Sequence, residues 1–215
     1  MTQIQFVGKI QRLILTAVFL AGWAGAALWL VTAQKSRPGG MFERRIKQGA
    51  PVAEKTLIRM WQQVEGLDRT WLPGRHVHLP GLVSHLVIMN AGLPIDLRAA
   101  AVVGGEEATL NALAREPADA HAWARLAMFR HLKRGPSREV VSALRLSIYA
   151  APAMKSLVFW RIRMAGLCRA HWDAEFEGLV KRQIVLAQRI SPRKLAATLA
   201  DANMRMPDED VLRAP

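Results

Sequence analysis

The sequence predicts an all-α chain in which a single N-terminal transmembrane helix precedes a stack of paired helices. Three observations lead there. Residues 13–34, LILTAVFLAGWAGAALWLVTAQ, run for 22 positions between Arg12 and Lys35 without a charge. From residue 106 onward, apolar residues recur at helical spacing, in stretches punctuated by capping residues, glycine and proline. Pro117, Pro152 and Pro192 stand 35 and 40 residues apart, which fits a repeated two-helix unit.

The first element follows a short tail, residues 1–12. A hydrocarbon core about 30 Å thick takes roughly 20 helical residues to cross, and a helix satisfies its own backbone polar groups there. Trp29 lies near the expected boundary, where indoles are favoured. Lys9 and Arg12 before the run, and Val31-Thr32-Ala33 at its end, have the pattern of a cleaved signal. The run is longer than the usual 7–15 residues of a signal core, so a retained anchor is expected. Ala17, Ala21 and Gly25 recur at every fourth position, a spacing that lets membrane helices approach closely; chance spacing explains it equally well.

Residues 35–51 form a basic juxtamembrane linker broken by Pro38-Gly39-Gly40. Within it, Met41, Phe42 and Ile46 alternate with Arg44, Arg45 and Lys47, a short amphipathic piece suited to anionic lipid or to a first turn of the following domain. Orientation by flanking charge is divided. The five positive residues after the anchor favour a cytoplasmic domain, whereas the short basic N-tail favours the opposite side.

Beyond the anchor, about 180 residues suffice for one domain with its own core. Residues 52–105 are a mixed section. Leu57, Met60, Trp61, Val64 and Leu67 fall at helical spacing. Trp71–Gly81 carries two Pro-Gly pairs and reads as irregular. Leu82–Met89 is apolar and fits either a buried helix or a strand. Gly104-Gly105 is expected to close the section.

Residues 106–203 should be a helical stack, and 204–215 a tail. Glu106–Arg115 ends before Pro117. Asp119 caps a helix carrying Trp123, Leu126, Ala127, Phe129 and Leu132, which Gly135-Pro136 stops. Ser137 caps the next, with Val140, Val141, Leu144 and Ile148 on one face. Pro152 is expected to open another, with Leu157, Trp160, Met164 and Leu167 as its stripe. Asp173 caps a helix bearing Phe176, Leu179, Val180, Ile184, Ala187 and Ile190. Ser191-Pro192 places a cap before a proline at the first helical position. Helices joined by such short turns pack as antiparallel neighbours. Trp123 is expected to be buried between paired helices.

No constellation of residues makes a convincing active site. Glu106 and Glu107 are adjacent and so do not share a helical face. His76, His78 and His85 are the only cluster of metal-ligand types, and the Pro-Gly pairs around them favour solvated loop histidines. Ser191-Pro192-Arg193-Lys194 has the S-x-x-K form of penicillin-binding enzymes, but S-D-N and K-T-G are missing and the serine has a capping role. One cysteine, Cys168, rules out an intrachain disulfide, and its apolar phase predicts a buried thiol. No metal or cofactor is expected.

Charge is the stronger lead. The formal net charge of +13 implies attraction to polyanions. Arg125, Arg130, Lys133, Arg134, Arg138, Arg145, Arg161 and Arg163 recur through three helices as a candidate basic face for acidic glycan, anionic lipid or an acidic protein partner. The plain alternative is a solvated face of an arginine-rich protein. Nucleic acid is not expected, because no reader motif is present.

The segment EPADAHAWARLAMFRHLKRG, with its proline, aspartate, Trp123, Leu126 and Ala127, followed by Ala143 and Pro152 in ALRLSIYAAP, resembles the tetratricopeptide repeat. Arg130 stands where that repeat usually has an aromatic. The order of parts also resembles small membrane-anchored envelope proteins associated with exopolysaccharide synthesis, over the anchor and roughly residues 105–200. That resemblance implies a TPR-like domain in the periplasm and an accessory role in polysaccharide assembly or export. The expected function is therefore a non-enzymatic adaptor, single-pass in a bacterial inner membrane, with protein partners. The alternatives are an enzyme or enzyme subunit with a site in residues 71–105, and a cytoplasmic-side adaptor on anionic lipid.

Overall fold

Apolar periodicity, caps and breakers divide the chain into helices much as the sequence requires. The computed structural model describes residues 52–65 and 77–204. The expected anchor with Ala17, Ala21 and Gly25, the basic Arg44, Arg45 and Lys47, His76 and the segment 205–215 lie outside the described residues. Eight α-helices are described: α1 (Glu54–Glu65), α2 (Leu79–Met89), α3 (Ile95–Arg115), α4 (Ala120–Arg134), α5 (Arg138–Ala150), α6 (Val158–Leu167), α7 (Ala174–Ile190) and α8 (Pro192–Asp201), with a 3₁₀ turn at Arg169–His171. Among the described residues there is no strand, and no helix long and apolar enough to cross a membrane.

Consecutive helices pack antiparallel. The most extensive contacts join α2 to α3 and α4 to α5, and α6 packs on both α7 and α8. Pro117 and Pro152 fall between these pairs, and Pro192 opens α8. The main core draws on Leu126 and Ala127 of α4, Val140, Leu144 and Ile148 of α5, Val158 and Ile162 of α6, Phe176, Val180 and Ile184 of α7, and Leu195 of α8. On α1 the buried residues are Leu57, Met60, Trp61 and Val64, four of the positions that helical spacing singled out.

The predicted caps are in place. Asp119 accepts from the amide of His121 at 2.8 Å, and Asp173 from that of Phe176 at 2.8 Å. Ser137 accepts from Val140 at 3.4 Å and Ser191 from Lys194 at 3.3 Å. Gly135 ends α4 with φ +76°, a conformation that glycine adopts without Cβ strain.

Leu82–Met89, which by sequence fits either a buried helix or a strand, belongs to a helix entered through Pro80 in its first turn. Several expectations are corrected. Gly104-Gly105 does not close a section, because α3 runs through it for 21 residues. The reason is packing: a Cβ on Gly105 would lie 2.5 Å from Phe129 Cζ and 2.7 Å from Ser84 Cβ. Glycine there is a notch into which α2 and α4 fit, and neighbouring helix turns compensate its low helix propensity. Pro152 does not open a helix. Residues 152–157 form turns and α6 begins at Val158. Its buried face is Val158, Arg161, Ile162, Met164 and Ala165, while Leu167 is exposed. Trp123 is only half-buried: its ring packs against the core edge and its indole N–H donates to the Pro117 carbonyl at 2.8 Å. Leu132 is exposed.

Candidate functional site

The basic residues that the sequence groups together are not one face. Arg161 is 1% exposed, and burial lowers its pKa to about 10, so it remains a cation at neutral pH. It lies inside the stack. Its Nε donates to Ser147 Oγ at 3.1 Å, and its terminal nitrogens donate to the Ser147 carbonyl, to the Ala151 carbonyl at 2.9 Å and to Gln183 Oε1 at 3.3 Å. The Ser147 and Ala151 carbonyls are at the C-terminus of α5, where helix carbonyls lack intrahelical donors and carry partial negative charge. Arg161 is thus an internal cap, and it is not part of the exposed basic face expected there.

Most of the others are tied to acids. Glu106, with a side chain 7% exposed, meets Lys133 at 2.8 Å, Arg134 at 3.0 Å and Arg130 at 3.7 Å. Burial pushes its carboxyl up, but the hydrogen bonds and charge of Lys133 and Arg134 outweigh that and hold it below its ordinary value. Arg134 also reaches Glu139 at 3.0 Å. Arg145 meets Asp173 at 2.5 Å and Glu175 at 3.4 Å. Arg163 meets Asp201 at 2.9 Å and Arg125 meets Asp119 at 3.6 Å. Arg138 is exposed at the start of α5. Arg125 pairs with the cap of its own helix; the other contacts tie α4 to α3 and α5, α5 to the start of α7, and α6 to α8. Glu106 was missed as a buried anchor; the signal was the run of three basic residues in the last turns of α4 facing an acid in an otherwise apolar phase of α3.

His78 and His85 are not solvated loop residues. His78 stands before α2, its Nε2 2.5 Å from Glu116 and its Nδ1 3.2 Å from Asp119, which ties that entry to the α3–α4 turn. His85 is within α2, with Nδ1 3.2 Å from Met128 Sδ, and its pKa is lowered to about 4 by burial, then by Arg125 and His121. Among the described residues no group of three or more His, Cys, Asp or Glu side chains is placed to hold a metal. Lys194 lies over the Phe159 ring, 4.5 Å from its centroid, while Ser191 caps α8. Cys168 is fully buried, and burial raises its thiol pKa.

Sequence reasoning missed a groove. It opens where the end of α5 and the turn after it meet α7, has a volume of about 300 Å³, and is walled by Ile148, Pro152, Ala153, Leu179 and Leu186. Tyr149, Arg182 and Gln183 complete its lining. Tyr149 is 51% exposed and donates its hydroxyl to Glu175, which raises the phenol's pKa. Gln183 is held from both ends, accepting from Arg161 and donating to the Pro152 carbonyl at 2.8 Å. An apolar trough with one fixed amide and one guanidinium can hold a side chain and orient a polar group beside it. Comparison with models of protein families, with curated proteins and with solved structures finds no match to this chain.

Proposed function

We propose that this chain is a membrane-anchored, non-enzymatic adaptor whose domain, similar to a tetratricopeptide repeat, presents a docking surface to protein partners of an envelope assembly, in polysaccharide biosynthesis or export. The observation that carries the reading is the open, mostly apolar groove between α5 and α7, set in a stack whose charged residues are largely engaged in holding helix to helix. Packed helix pairs bind by shape, in the surfaces between them. The 22 uncharged residues 13–34 supply the anchor. The basic N-tail and the resemblance to exopolysaccharide-associated envelope proteins favour a periplasmic domain.

A C-terminal fusion tests the topology. Alkaline phosphatase fused after Pro215 should be active, and a fluorescent protein that folds only in the cytoplasm should be dark. The reverse pattern removes the periplasmic export reading and favours the cytoplasmic-side adaptor, with Arg44, Arg45 and Lys47 as its lipid contact.

A further inference from the structure

The groove between α5 and α7 is lined by one cation, Arg182, and a second, the buried Arg161, is hydrogen-bonded to its lining residue Gln183; among the described residues neither meets a carboxylate. Arg182 lines it, is exposed, and forms no ion pair with another described residue. Its guanidinium lies back towards Gly178, where an added Cβ would sit 3.8 Å from Nη1. Arg161 is beneath the floor, hydrogen-bonded at 3.3 Å to Gln183, and among the described residues only neutral oxygens surround it. Glu175, which accepts from the hydroxyl of the lining Tyr149, is already engaged by Arg145 as well.

These features define an occupant. The walls call for an apolar side chain, and about 300 Å³ holds one or two, at the lower end of the range for small-molecule pockets. The exposed guanidinium of Arg182 calls for a carboxylate beside it. Tyrosine and arginine at the edge of an apolar trough are the residue types that dominate protein–protein hot spots. An anionic bilayer is the weaker fit, since it is read by clusters of about four or more basic side chains. We infer that this groove docks a partner protein through a large apolar side chain flanked by an aspartate or glutamate, whose carboxylate pairs with Arg182. The inference rests on the adaptor reading and names the chemistry of its partner.

The test uses the full chain in detergent micelles. A randomised heptapeptide library is selected on the purified protein, and enriched sequences are remade as labelled peptides with Asp and Glu, or with Asn and Gln in their place. Enriched peptides should pair Leu, Phe or Trp with an adjacent acid. The amide versions should bind at least tenfold more weakly by fluorescence anisotropy. Arg182→Gln should erase that difference, and Ala153→Trp, which fills the groove from an exposed turn, should abolish binding with the helical melting curve unchanged. Equal binding of acid and amide peptides, binding indifferent to Ala153→Trp, or no enrichment overturns the inference. So does binding of phosphatidylglycerol vesicles in place of peptides. Failure here leaves the fusion result untouched, and a reversed topology leaves peptide binding by the purified chain untouched.

Discussion

Arg161 reaches from α6 onto the last turn of α5, and its four hydrogen bonds end on Ser147, Ala151 and Gln183. Removing it has two opposed effects. A buried charge is no longer desolvated, which stabilises. Two helix-end carbonyls and an amide oxygen lose their donors, each a loss of about 1–3 kcal/mol where water cannot replace them. The second effect is larger, so Arg161→Met should destabilise the domain by about 2–4 kcal/mol in urea unfolding. Arg161→Lys should recover little, because a point-like ammonium cannot fork to acceptors on three residues. Wild-type stability in Arg161→Lys would show that charge alone is what matters there. The sequence hides this role, since an arginine in a chain with thirty Lys and Arg reads as surface. Its neighbours carry the clue: counted at 3.6 residues per turn, Arg161 falls in phase with Val158, Ile162 and Ala165. Trp123 errs the other way. Its place in the stripe was legible, but its N–H needs an acceptor, and meeting the Pro117 carbonyl leaves the ring at the core's edge.

At the scale of elements, α4, α5, α7 and α8 were legible because each begins with a side chain that caps it and carries a regular apolar stripe. The start of α6 was not, because proline fixes φ for a turn as readily as for a first helical residue, and Pro152 serves a turn. Gly104-Gly105 was read as a break by the same local logic. Tertiary contact reverses it, since Gly105 is where Phe129 and Ser84 come closest to α3. Gly105→Ala sets the two effects against each other. In an isolated helix alanine is better by about 1 kcal/mol. In this packing the methyl group meets atoms at 2.5–2.7 Å belonging to Phe129, which is fully buried, and to Ser84. Overpacking of that kind costs about 1–3 kcal/mol beyond the propensity gain. Gly105→Ala should therefore lower the thermal midpoint by several degrees while leaving helical content intact. A raised midpoint would mean that α2 and α4 can move aside, and that the glycine pair is not a packing notch.

For the molecule as a whole, the titratable groups inside the stack point to acid sensitivity, and the sign can be worked out. His85 has its pKa lowered from 6.5 to about 4. Between those values the unfolded chain holds a proton that the folded one excludes, so stability is complete above pH 6.5 and falls as pH drops towards 4. Glu106 acts in the same direction lower down. Its folded pKa is below 4.5, so the stability from its charged form is present above that value and is lost as pH falls through the folded pKa. The histidine contribution has an upper bound of about 3 kcal/mol at 1.36 kcal/mol per unit, a sizeable part of a typical domain's 5–15 kcal/mol. Urea midpoints of the full chain in micelles should be flat from pH 8 to 7 and decline from pH 6.5 to 4. His85→Leu, which places an apolar side chain against Met128, should flatten the part above pH 5. Glu106→Gln should start less stable at pH 7, because three cations lose their shared carboxylate, and should converge on the wild type only at the acid end. If His85→Leu keeps the full slope between pH 6.5 and 5, the histidine is hydrated in solution, and the close fit of α2 against α4 around Met128 is looser than the structure has it.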